Sequence, residues 1–236
     1  MDWNLKLLNI SKAFVFHHHQ GVHLSVLNDV SMTFYPNEAV VLSGPSGSGK
    51  STLLRMIYGG YRTDSGKILV RHNNKEVDLA GAKASTIHEI RKETIGYVGH
   101  QMSAAPGISA LEAVTDPLIK RKVSRKKAEA KSRDLLERLN LPEPLWHLPV
   151  NRFSSGEQQR VHLATGFIIP YPILLLDEPV AGLAPVDRKV VFELIQESVS
   201  RGACVLSVLQ NTSDKKQISG RNVDLDEPAT WEIDAH

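Results

Sequence analysis

Gly44-Pro45-Ser46-Gly47-Ser48-Gly49-Lys50-Ser51 fits the pattern G-x-x-x-x-G-K-[ST] without a gap. Its setting gives the pattern physical meaning. The apolar run Ala39-Val40-Val41-Leu42 before it reads as a short buried strand, and Ser51-Thr52-Leu53-Leu54-Arg55-Met56-Ile57 after it reads as a helix. Glycines between strand and helix let the backbone curl so that successive N–H groups point inward at phosphate oxygens. The helix N-terminus adds partial positive charge, Lys50 can reach the terminal phosphates, and the Ser51 hydroxyl can ligate magnesium. The stretch is expected to hold a nucleoside triphosphate through Gly44, Pro45, Ser46, Gly47, Ser48, Gly49, Lys50, Ser51 and Thr52.

Outward from this loop, residues 3–42 alternate apolar and polar side chains, as in Leu5-Lys6-Leu7-Leu8-Asn9-Ile10, and read as antiparallel strands. Downstream, strands are expected over residues 67–71, 76–79, 95–98, 173–176 and 203–208, with helices over 84–93, 157–167 and 186–198. Residues 109–138 carry two helical patterns separated by Lys120-Arg121-Lys122. Strands alternating with helices imply an α/β parallel core, here fronted by an antiparallel sheet and interrupted by a mostly helical insertion. From Lys215 onward no clear period is visible, and that tail is expected to be loosely structured.

Bulk properties set limits. The chain has 236 residues, 42% of them hydrophobic, enough for a full core as one large domain or a domain with a subdomain. A net charge of +2 demands no nucleic-acid partner, and the single Cys204 excludes an internal disulfide. The N-terminus lacks the layout of a signal peptide. The longest apolar stretch, residues 167–176, is interrupted by Pro170 and Pro172 and is too short to span a bilayer. A soluble, cytoplasmic protein without membrane insertion is therefore expected. His17-His18-His19 is expected in a solvated loop, the basic residues between 120 and 131 on an exposed helix face, and Trp146 in the core.

Ile173-Leu174-Leu175-Leu176-Asp177-Glu178 is a buried strand ending in two carboxylates. Such a strand delivers its last polar residues to the carboxyl edge of the sheet, where α/β proteins hold ligands. Asp177 can hold magnesium through water, and Glu178 can orient or deprotonate an attacking water. Just before it, Phe153-Ser154-Ser155-Gly156-Glu157-Gln158-Gln159-Arg160 opens a helix, with a hydroxyl and free N–H groups available to an anion. An ordinary N-cap with a capping-box glutamate has the same appearance.

These three motifs, in this order, resemble an ATP-binding-cassette nucleotide-binding domain over roughly residues 3–212, with a helical subdomain at about 102–165 and a tail at 213–236. The resemblance implies a P-loop ATPase fold with parallel core sheet, antiparallel β subdomain and helical subdomain, using ATP and Mg²⁺. It further implies that Gln101 touches magnesium and reports to a partner. Ser154 and Gly156, with Ser155 and Glu157 beside them, would grip the γ-phosphate held by a second cassette subunit, homo- or heterodimeric. Phe14 is the aromatic expected to stack on adenine, with Phe16 as competitor.

A finer similarity joins Leu145-Trp146-His147-Leu148, Arg152-Phe153-Ser154 and Gly166-Phe167-Ile168 to the cassette component of the bacterial phosphonate carbon–phosphorus lyase system. That resemblance implies partners among the lyase complex subunits and a place in the step from alkylphosphonate to its ribose triphosphate. The alternatives are the motor subunit of an ABC transporter of lipoprotein-releasing or macrolide-export type, and a nucleotide-dependent scaffold that scarcely hydrolyses. Four positions depart from the cassette pattern. Gln210 stands where the switch histidine is expected, Ala184 replaces the D-loop aspartate, Ser155 a signature glycine and Thr165 an arginine. Full ATP binding with slow hydrolysis is the expected consequence, with Glu178, Gln101 and Gln210 as the catalytic set.

Overall fold

The computed structural model describes residues 3–16, 22–99, 107–225 and 230–232. Strand β3 (Glu38–Ser43) sends Ala39 and Val41 into one hydrophobic cluster, and Val40 and Leu42 into another on its opposite face. Strand β7 (Ile173–Asp177) splits the same way, with Leu174 and Leu176 on one side and Ile173 and Leu175 on the other. Apolar runs buried on both faces are what parallel strands between covering layers require. The five strands run in the order β6-β7-β8-β3-β9, all parallel, where β6 is Ile95–Val98, β8 is Cys204–Val208 and β9 is Arg221–Asp224.

One face of this sheet is covered by α3 (Ala110–Lys120), α4 (Arg125–Arg138), α5 (Ser155–Phe167) and α6 (Pro185–Ser200). Leu111, Val114, Leu136, Val161, Leu163 and Ile195 come from these helices into the shared cluster, and Trp146 joins it with its indole N–H donated to the Leu141 carbonyl at 2.9 Å. The other face meets α1 (Lys50–Ile57), Ile90 of α2 (Ala84–Glu93) and a second sheet. That sheet is antiparallel, in the order β10-β2-β1-β4-β5. Its strands are β1 (Leu5–Phe16), β2 (Val22–Phe34), β4 (Ser65–His72), β5 (Lys75–Asp78) and β10 (Thr230–Glu232). Parallel core, antiparallel sheet and helical layer match the expected fold class.

The tail expected to be loosely structured from Lys215 onward is instead ordered as far as Leu225. A short helix α7 (Thr212–Lys215) follows β8, and β9 then pairs with β3 from Val40↔Arg221 to Ser43↔Asp224. The Leu225 amide donates to the Ser43 carbonyl at 2.9 Å and its side chain is buried. Only Val223 and Leu225 are apolar in Arg221-Asn222-Val223-Asp224-Leu225, too few for a period to register. The pairing, supplied by a distant part of the chain, makes the strand.

Candidate functional site

The chain leaves β3 at Ser43 and re-enters helix at Lys50, and the six residues between turn on glycines. Gly44, Gly47 and Gly49 have φ of 130°, 84° and 84°, a region that side-chain-bearing residues avoid. Close packing adds a second reason at two of them. A Cβ on Gly49 would meet Val26 and Leu27 at 2.8 Å, and one on Gly44 would meet the Leu225 carbonyl oxygen. The loop is thus clamped between β2 and the chain leaving β9. Helix α1 starts with Gly49 as N-cap and no side-chain cap, so its first N–H groups face the loop. Such an end suits an anion.

Lys50 Nζ donates to the carbonyls of Gly44 (3.0 Å) and Pro45 (2.6 Å) and to Ser48 Oγ (3.1 Å), which holds the ammonium over the loop. Burial lowers its pKa and the charge of Lys215 adds to this, while Glu178 and Asp177 oppose both. Ser51 Oγ donates to Asp177 Oδ1 at 2.7 Å, tying the start of α1 to the end of β7. Asp177 is buried, and its second oxygen accepts from the Tyr97 hydroxyl at 3.0 Å. Magnesium usually takes one or two protein oxygens and completes its shell with water and phosphate, so this Ser–Asp pair fits the ion. Among the described residues no cluster of three His, Cys, Asp or Glu offers another metal site.

Glu178 sits one residue past β7 at φ 55°. Its N–H donates to the Val208 carbonyl at 3.1 Å, and its Oε1 accepts from Gln210 Nε2 at 2.7 Å. Strands β7 and β8 are paired neighbours, which is why residues 32 apart in sequence meet. A cleft of about 790 Å³ gathers Phe14, Leu24, Val26, Gly44, Ser46, Gly47, Gly49, Lys50, Ser51, Thr52, Glu178 and Gln210. Phe14 forms part of its wall and packs edge-on against Tyr61 at 5.5 Å, with Lys12 Nζ 5.3 Å from the ring centre.

The serine-glycine motif stands elsewhere. Ser154 caps α5, donating its hydroxyl to Glu157 Oε2 at 2.8 Å and accepting from the Glu157 amide. Ser155 is exposed, and a Cβ on Gly156 would meet only the Gly182 carbonyl, at 3.6 Å. None of the four residues 154–157 lines the cleft of their own protomer. Gln101 and the side chain of Phe16 lie outside the described residues, as do His17, His18 and His19.

Sequence reading missed Tyr97. Burial first, and Asp177 second, push its pKa up to about 12, so the phenol stays protonated and donates. The only signal was a polar tip inside Ile95-Gly96-Tyr97-Val98. The reading also missed Leu24 and Val26, which bring β2 to the cleft.

A sequence family described as "ABC transporter" matches residues 27–181. The lipoprotein-releasing system ATP-binding protein LolD 2 of Caulobacter vibrioides is 40% identical over 174 residues, 74% of each chain. The glutamate/glutamine/aspartate/asparagine transport ATP-binding protein BztD of Rhodobacter capsulatus is 32% identical over 197 residues, covering 83% of this chain and 72% of its own. Among solved structures, the dimeric ATP-binding cassette MJ0796 in a post-hydrolysis state with ADP and Pi superposes with a TM-score of 0.83 at 26% identity. The match covers 98% of this chain and 99% of that one. By loop, sheet order and sequence alike, the chain belongs to the ABC transporter family, as one of its ATP-binding cassettes.

Proposed function

We propose that this cassette binds ATP with magnesium in the cleft and hydrolyses it slowly, as the motor subunit of a transporter of the lipoprotein-releasing type. The observation that carries the chemistry is the Ser51–Asp177 hydrogen bond of 2.7 Å, which places a phosphate-loop hydroxyl and a strand-end carboxylate on one ion-sized locus. Ser51 and Asp177 would hold magnesium, Asp177 through water, and the family resemblance would add Gln101 as a third contact. When bound, the metal supplies neutralisation of the charge on the transferring phosphoryl group. Lys50 turns from the loop carbonyls to the terminal phosphates, and residues 44–52 wrap the remaining oxygens. Glu178, held by Gln210, orients the attacking water and accepts its proton. Phe14 stacks on the base. Ser154, Ser155, Gly156 and Glu157 complete the site of a second cassette in a head-to-tail dimer.

Slow turnover follows from two positions. Gln210 can donate a hydrogen bond to a γ-phosphate but carries no charge, and Ala184 offers no carboxylate to the partner. Losing one such transition-state contact costs on the order of 10²-fold in rate. We take the cassette domain to extend past residue 212 to at least Leu225, because β9 completes the sheet beside the loop. A cytoplasmic location belongs to the same proposal. Among the described residues no helix is long and apolar enough to cross a membrane, so membrane-spanning partners would be separate chains or segments.

The transport type rests on the 40% identity to LolD 2. The phosphonate-lyase reading is the second, favoured by the sequence around Trp146. Because Trp146 is buried with its indole bonded to a neighbouring carbonyl, that stretch supports packing more directly than phosphonate chemistry.

ATP affinity and steady-state hydrolysis of the purified protein test the first part. Lys50→Ala should lose tight binding, and Glu178→Gln should keep binding and lose turnover; unchanged affinity in Lys50→Ala overturns the site. Recovery with detergent-solubilised membrane proteins supports the transport type. Recovery in a soluble multisubunit complex supports the phosphonate reading instead.

A further inference from the structure

We propose that Tyr97 is a positioning residue for the magnesium carboxylate, fixing the orientation of Asp177 from outside the phosphate loop. The inference rests on the assignment of Asp177 to magnesium above. Asp177 has two oxygens with different neighbours: Oδ1 accepts from Ser51, on the loop side, and Oδ2 accepts from the Tyr97 hydroxyl at 3.0 Å. A carboxylate held by one hydrogen bond can swing about its Cβ–Cγ bond, whereas two donors on opposite oxygens fix its plane. When Ser51 turns to the ion, Tyr97 is the donor that keeps Asp177 aimed. Partners of metal ligands commonly act this way, orienting the ligand and tuning its basicity.

Tyr97 is itself held on three sides. Its ring stacks on Tyr58, with centroids 5.1 Å apart and planes 26° from parallel. Tyr58 is in turn covered by the Arg91 guanidinium at 4.5 Å, and Arg91 Nε donates to the Tyr58 carbonyl at 2.8 Å. Arg55, from α1, donates to the Tyr61 hydroxyl at 3.3 Å, and its positive charge also acts on Tyr97. The phenolic proton of Tyr97 is the one given to Asp177. On its last side the ring covers Gly99, where a Cβ would meet the Tyr97 ring at 2.7 Å. A phenylalanine at this position would keep the stack and the packing and lose only the hydroxyl.

The test compares the full-length protein with Tyr97→Phe, using Mn²⁺ as the metal probe. With protein in excess over the ATP analogue AMPPNP, loss of the free Mn²⁺ resonance reports metal affinity, and AMPPNP affinity is measured separately in EDTA. Tyr97→Phe should weaken Mn²⁺ binding about 10-fold, the lower end for loss of a partner to a metal ligand, and leave the EDTA affinity within about twofold. Equal Mn²⁺ affinity in the two proteins overturns the proposal. So does a parallel loss of metal-free nucleotide binding, which would make Tyr97 a packing residue. A parent protein that binds AMPPNP and shows no added Mn²⁺ affinity removes the metal role of Asp177 instead, and with it the ground for Tyr97.

Discussion

At the scale of single residues, the proposed slow turnover rests on Ala184 and Gln210. Ala184 is the N-cap of α6 and makes no side-chain cap, so an N–H of the first turn lacks the acceptor that aspartate would supply. Ala184→Asp should therefore raise stability by about 1 kcal/mol, read as a shift in the urea midpoint at unchanged slope. The same substitution restores a carboxylate to the proposed dimer seam. Combined with Gln210→His, it should raise ATP turnover by at least on the order of 10²-fold. A stability gain without a gain in turnover would leave the helix-cap account standing and sink the coupling account. Both departures were read from the sequence, Ala184 inside the Gly182-Leu183-Ala184 stretch and Gln210 just past the strand ending at Val208. Tyr97 was not, since a tyrosine in an apolar strand looks like core until Asp177 of the neighbouring strand is placed beside its hydroxyl.

At the scale of elements, helices with a clear apolar stripe were legible: residues 84–93 form α2 as expected, and residues 109–138 divide into α3 and α4. Strand β9 was not, because its identity comes from β3 and not from its own four residues. Its importance is measurable. Leu225 is buried and its carbonyl abuts Gly44, so the strand end buttresses the phosphate loop. Leu225→Ala should cost about 2–4 kcal/mol in urea denaturation and weaken ATP binding as the loop loosens. Unchanged ATP affinity in the folded variant would separate the strand from the site.

The capping boxes of α3 and α5 make a second prediction at this scale. Glu157 accepts from the Ser154 hydroxyl and amide, and Glu112 from those of Ser109, which holds both carboxyls below their ordinary 4.5. A depressed carboxylate pKa contributes stability above the unfolded value and loses it as pH falls through the folded one. The stability difference between the parent and the Glu112→Gln/Glu157→Gln variant should accordingly be present at pH 6 and shrink below about pH 4.5. A difference that stays constant from pH 6 to pH 3 would show that these carboxylates act without their charge.

For the whole molecule the question is why Gly156 is a glycine. Nothing among the described residues demands it: it lies in helix, lacks a positive φ, and a Cβ there would meet only the Gly182 carbonyl at the ordinary distance of 3.6 Å. In an isolated chain, Gly156→Ala should be neutral or stabilise the helix by up to about 1 kcal/mol. Residues 154–157, expected to serve the site of a second subunit, are absent from the cleft of their own protomer. If they approach the phosphates of a second copy, the missing Cβ matters only across that interface, where a methyl group would hold the backbone away from the γ-phosphate. Gly156→Ala, placed in a Glu178→Gln background so that ATP persists, should then behave as a well-folded monomer. Light scattering should show the Glu178→Gln parent shifting toward dimer mass when ATP is added and the double variant failing to shift, although both bind ATP equally. Equal dimerisation of the two proteins would remove the interfacial role of the glycine, and equal failure of both would remove the ATP-driven dimer itself.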